Sequence, residues 1–165
     1  MKKYILLIAL AVSVLTAKAQ FNVDRLITSG KVALHYEDYV LSIQYFNQVI
    51  ALKPFLYEPW QYRAVAKFYL DDFVGAETDA SEAIALNPYI DILYDLRAIS
   101  RIRQEDYAGA IADYNKAIAI SPDTRNYWFN RAICMLNSKN YDDALAQTDS
   151  IIRKWQRFAN AYQLK

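Results

Sequence analysis

Glycine and proline are scarce in this chain, with three and four residues among 165. So few breaks leave little material for β-hairpins and suit a helical protein with short, similar turns. Cysteine is nearly absent: Cys134 stands alone, so the chain can form no internal disulfide even in an oxidising compartment. His35 is the single histidine, without a second histidine, a cysteine or clustered carboxylates at ligand spacing. Metal binding and general-base chemistry therefore lack their usual groups, and His35 reads as a surface or turn residue. There is no glycine-rich phosphate loop, serine nucleophile elbow or paired-histidine helix, so the sequence shows no active site and implies no cofactor. Charge is nearly balanced, 19 Lys and Arg against 18 Asp and Glu, which leaves no strong basic excess to gather phosphates and excludes nucleic acid as an expected partner.

What the chain does hold is apolar material: 55% of its residues are hydrophobic and 22% charged, enough for a folded core. The first nineteen residues read separately. Lys2 and Lys3 precede a thirteen-residue apolar run from Tyr4 to Thr16, and Ala17-Lys18-Ala19 is a small-x-small cleavage pattern. The run is shorter than the roughly 20 residues of a membrane-spanning helix. Residues 1–19 are thus expected to be a signal peptide cleaved after Ala19, giving a periplasmic or secreted chain with no stable membrane insertion; an uncleaved N-terminal anchor is the alternative. Loss of Lys2, Lys3 and Lys18 leaves 16 basic against 18 acidic residues.

The remainder repeats itself. "NQVIALKPFLY" (Asn47 to Tyr57), "SEAIALNPYID" (Ser81 to Asp91) and "NKAIAISPDTR" (Asn115 to Arg125) are spaced thirty-four residues apart, with prolines at Pro54, Pro88 and Pro122. Four first halves are opened by Leu26, Trp60, Tyr94 and Trp128, the first three each upstream of one of these phrases, with a small residue four positions on at Gly30, Ala64, Ala98 and Ala132. A turn ending in an aromatic follows ("EDY", "DDF", "EDY", "KNY"), then a second small column at Ser42, Ala76, Ala110 and Ala144. The spacing predicts two helices per unit, joined by a polar turn and stopped by proline. One pair cannot bury its own apolar faces, whereas stacked pairs cover one another. Cys134 shares its column with Val32, Ala66 and Ser100, all small or compact, and reads as packing.

These residues resemble the tetratricopeptide repeat family. Its pattern of Trp, Leu-Gly, Tyr, Ala, Phe, Ala and Pro is met by Trp60, Ala64, Phe73, Ala76, Ala83 and Pro88, and again by Tyr94, Ala98, Tyr107, Ala110, Tyr114, Ala117 and Pro122. The resemblance implies an all-α, right-handed superhelical solenoid of antiparallel helix pairs. Four units are expected at about 23–56, 57–90, 91–124 and 125–158 within a domain of 20–165, with 159–165 beginning a cap or a fifth repeat. Departures are visible: Ala33, Lys67, Arg101 and Met135 replace the family's second tyrosine, and Ala80 and Thr148 its large aromatic.

Two charged columns stand out. Arg63, Arg97 and Arg131 lie at the middle of first helices, and Asp79 and Asp113 in second helices. They read as a framework ladder of charge-assisted hydrogen bonds, with the partner either in the same unit or in the preceding one. At the turns, Asp71, Asp72, Glu105, Asp106, Asp142 and Asp143 are expected to share one task, capping the second helix of each pair.

In the architecture that the resemblance implies, first helices line a concave surface that grips peptides or partner helices. The first contributes Ile27 and Lys31, and the second Gln61, Val65 and Phe68. The third places Ile92, Asp95, Ile99 and Ile102 there, and the fourth Asn126, Phe129, Asn130 and Ile133. The stripe is largely apolar, so the expected ligand is an amphipathic or hydrophobic segment; the same side chains packing between helices is the competing reading. The family's Lys/Asn/Arg clamp on a terminal carboxylate has no counterpart beyond Lys31 and Asn130. The expectation is an exported, non-enzymatic scaffold that binds another protein or peptide of the cell envelope. A self-assembling structural unit (a homo-oligomer) and the repeat region of a longer envelope protein are the alternatives, and an enzymatic role would need a further domain beyond Lys165.

Overall fold

The computed structural model describes residues 22–155. The expected signal peptide and the stub at 159–165 lie outside them. Within the described residues the chain is helical throughout, without strands: α1 (22–35), α2 (Tyr39–Leu52), α3 (Tyr57–Tyr69), α4 (Phe73–Leu86), α5 (Asp91–Arg103), α6 (Tyr107–Ile120), α7 (Arg125–Asn137) and α8 (Tyr141–Lys154). From α2 onward each helix packs on the next, and α3 also lies against α5, which brings first helices of successive pairs together along one face. None of these helices is long and apolar enough to cross a membrane.

Small residues set how closely the helices approach. Ala64, Ala98 and Ala132 of the first helices, and Ala76, Ala110 and Ala144 of the second, are buried. In the first pair this contact is built differently. A Cβ on Gly30 would stand 2.7 Å from the ring of Phe46, and the Ser42 hydroxyl donates to the Gly30 carbonyl at 3.0 Å. Glycine and serine therefore replace alanine where a buried phenylalanine takes up the room. The opening aromatics tie helix to turn: the Trp60 indole donates to the Pro54 carbonyl, the Tyr94 hydroxyl to that of Pro88 and the Trp128 indole to that of Pro122, at 3.0–3.1 Å.

The turns between the two helices of a pair correct the expectation of a shared capping task. Glu37, Asp71, Glu105 and Lys139 all adopt a left-handed backbone, with φ between 59° and 63°. This lets the next residue's amide reach back to the carbonyl five positions earlier (Asp72 to Lys67 at 3.0 Å, Asp106 to Arg101 at 2.9 Å), closing the first helix. Only the following residue caps: Asp38, Asp72 and Asp106 accept from the backbone amides of Leu41, Gly75 and Gly109. Asn140 in the last pair makes no such bond and donates instead to Asp143, while Asp142 and Asp143 lie inside the first turn of α8. Identical residue types thus serve three purposes, which φ decides and residue type does not.

The column of Val32 shows what stacking supplies. Ala66, Ser100 and Cys134 are fully buried, whereas Val32 is 49% exposed because no described pair precedes it.

Candidate functional site

The charged ladder is resolved by geometry. Arg63 grips Asp79 of its own pair through Nε and Nη2, both at 2.7 Å, and its Nη1 donates to Asn47 of the preceding pair at 2.6 Å. Arg97 repeats this with Asp113 (Nε at 3.0 Å, Nη2 at 2.6 Å) and Ser81 (3.2 Å). Each guanidinium therefore closes its own hairpin and staples it to the one before. Lys67 and Arg101, where the family has tyrosine, bring a second cation to Asp79 and Asp113 at 2.9 Å. Both aspartates are 1% exposed, so two cations each, with bidentate geometry, are what make a buried carboxylate tolerable. The last pair departs: Arg131 hydrogen-bonds Gln147 and Asn115, its Nε is buried without a partner, and Met135 offers no second cation. These residues are framework.

No group of histidine, cysteine and carboxylates able to hold a metal occurs among the described residues. His35 is exposed beside Tyr36, as read from sequence. Cys134 is fully buried, and burial pushes its thiol up to about 11, so it is an inert packing group.

The face lined by first helices carries two adjoining hollows that share Phe68 and Ile99. One, of about 200 Å³, is walled by Gln61, Val65, Tyr69, Ile92, Asp95 and Leu96 as well. The other, of about 230 Å³, adds Ile102, Arg103, Tyr114, Asn130 and Ile133. Nine of the thirteen residues assigned to this face by sequence line these hollows, and none of the thirteen is fully buried. Val65 and Ile99 also rest on the buried cluster of Ala64, Ala80 and Leu96, so the walls are rooted in the core while one side stays open. Ile27, Lys31, Asn126 and Phe129 stand outside the hollows; the Lys31 ammonium sits 4.6 Å above the Tyr62 ring.

Sequence reasoning missed Tyr69, Leu96, Arg103 and Tyr114. Tyr114 belongs to a second helix and is fully buried, yet it contributes to the floor. Its hydroxyl faces Asp95 and Asn130, and burial followed by the Asp95 charge raises its pKa. Asp95 is itself half-buried; burial and the neighbouring Asp91 charge outweigh the Tyr114 hydroxyl's hydrogen bond and hold its carboxyl above the ordinary range. Asp91 goes the other way. Burial raises it, but hydrogen bonds from Ser121, Tyr127 (3.1 Å) and backbone bring it below its ordinary value, so it stays charged.

Residues 96–157 match the family described as Tetratricopeptide repeat. Among solved structures, the chain is similar to the MamA protein (TM-score 0.79, 22% identity, covering 86% of this chain and 78% of that one). It is also similar to the first TPR of Spaghetti (RPAP3) bound to the HSP90 peptide SRMEEVD (TM-score 0.68, 22% identity, 70% and 91% covered). A third is YrrB, a TPR protein with an unusual peptide-binding site (TM-score 0.75, 12% identity, 84% and 72% covered). The chain has the tetratricopeptide repeat fold. No curated protein matches it by sequence. In this tetratricopeptide solenoid the ladder holds successive pairs in register, and the register is what aligns residues of α3, α5 and α7 into one lining.

Proposed function

We propose that the protein is a non-catalytic interaction scaffold, exported through residues 1–19, that holds an apolar or amphipathic segment of a cell-envelope protein in the hollows of its first-helix face. The observation that carries this reading is the lining itself: Val65, Phe68, Ile99, Ile102 and Ile133, from three helices, stay partly open around two joined hollows. Apolar side chains that converge on a cleft and stay partly open favour an apolar occupant. Peptide binding by the Spaghetti domain and by YrrB, similar in fold, supports it by analogy. A photo-crosslinker at position 99 should give a discrete adduct in envelope extract, and one at the exposed Glu82 should not; equal labelling from both positions would refute the groove. Recovery of a chain beginning at Gln20 from the periplasmic fraction tests export.

Self-association is a second reading, favoured by the exposed apolar face of the first described pair. There Val32, Tyr36 and Leu41 are exposed around a hollow of about 350 Å³. Light scattering across a concentration series separates the two, since this reading requires a mass that grows with concentration.

A further inference from the structure

Besides the neutral Gln61 and Asn130, the hollows are lined by two charged residues: Arg103, which is engaged by Asp71 at 3.6 Å and stacks over Phe73, and Asp95, which is electrostatically unfinished. Asp79 and Asp113 each sit between two cations. Asp95 has no such partner among the described residues: the groups acting on its carboxyl are the Tyr114 hydroxyl and the like charge of Asp91, one helical turn away. Its buried Oδ1 has only the buried Tyr114 hydroxyl facing it and no cation; Asp95 lines one hollow, Tyr114 the other, and Asp95 stands one helical turn from Ile99, which lines both. A buried carboxylate beside a second carboxylate is a costly arrangement that a cation relieves. Each hollow is somewhat larger than the roughly 150 Å³ that holds a benzene ring, so each suits one large apolar side chain.

We infer that the occupant is an amphipathic segment carrying one lysine or arginine between two apolar side chains, its cation meeting the half-buried Asp95 carboxylate while the apolar residues fill the hollows on either side. This rests on the groove reading above and names the chemistry of its ligand. The lone cation is the specificity element, and the apolar residues supply the contact area. A segment lacking the cation leaves Asp95 desolvated and unpaired, and one bearing a carboxylate at that point is repelled by Asp91 and Asp95 together.

A displayed library of random sixteen-residue peptides, selected on the purified protein, tests this. The expected winners carry a basic residue flanked by large apolar ones. In titrations of a winning peptide, Asp95→Asn should weaken binding by at least about tenfold, as should replacing the peptide's basic residue with glutamine, and the two losses should not add. Ile99→Ser should abolish binding. Winners that need Ile99 but bind wild type and Asp95→Asn equally would overturn the inference and leave the groove standing. If selection yields no peptide that depends on Ile99, both fall. Thermal melting of Asp95→Asn establishes that the variant is folded.

Discussion

Gln147 occupies the column that holds Asp79 and Asp113 in the two preceding pairs, and replacing it by aspartate should complete the ladder. In the present arrangement Arg131 meets only neutral partners, Gln147 and Asn115, and its Nε and the Gln147 Nε2 are buried with nothing to bond. Burial accordingly lowers the Arg131 pKa, with no carboxylate to restore it. Arg63 and Arg97 show the geometry that aspartate adopts sixteen residues downstream, with Nε and Nη2 both engaged. Exchanging one ion–amide hydrogen bond for a bidentate pair with a carboxylate, while satisfying the orphaned Nε, should add about 1–2 kcal/mol. The gain stays at this level because Met135 supplies no second cation and the new carboxylate must be desolvated. For a domain of this size that is a rise in Tm of about 3–8 °C, read by far-UV circular dichroism at 222 nm. The double-mutant cycle is the stringent form: with Arg131→Leu in place, Gln147→Asp buries an unpaired charge and must destabilise. An unchanged or lower Tm in the wild-type background, or the same gain without Arg131, would refute the ladder as described.

Arg97→Leu removes the grip on Asp113 and the staple to Ser81, leaving Arg101 as the carboxylate's sole cation; stability should fall by about 2–4 kcal/mol, measured by urea unfolding. Asp95→Asn should raise Tm at neutral pH. The folded chain binds a proton more tightly at Asp95 than the unfolded chain does, so stability falls as pH rises through the window above the ordinary value near 3.8. The amide escapes that loss, and its advantage should vanish in melts below that window. Lys139→Gly, at φ 63°, should stabilise by about 0.5–1 kcal/mol by removing left-handed strain outside the hollows; a loss would mean that the lysine side chain contributes more than its backbone costs. Cys134 should resist iodoacetamide in the native protein, and its alkylation rate should follow the unfolded fraction in urea.

The fold was legible because it is written several times over. Pro54, Pro88 and Pro122, the aromatic openers and the alanine columns are each a local signal, and their common spacing turns them into an architecture. The arginine column was legible as framework, but not its direction, since residues at both plus and minus sixteen are polar. The structure shows that Arg63 and Arg97 use both, joining the aspartate of one pair and the side-chain oxygen of the pair before. The turn carboxylates were misread because residue type does not reveal φ, and Asp71 and Asp72 look interchangeable until the backbone places one in the left-handed region. Tyr114 was invisible as a site residue for a related reason. Periodicity assigns it to a second helix and the core, and only the stacking of α5 and α7 around it brings its hydroxyl beside Asp95.

The half-exposed Val32 has a practical reading. Its column is a socket that each later hairpin fills with the flank of its predecessor, so the first described pair already presents the shape that an additional pair would need. An engineered hairpin copied from α5 and α6 and spliced ahead of residue 22 would need Ser29 changed to arginine, because that column holds the staple to the preceding pair at Arg63 and Arg97, and each such addition would lengthen the lining by about one helix-packing distance, roughly 8–10 Å. Reach along a bound segment thus becomes a quantity that can be set by copying, once that one staple is supplied.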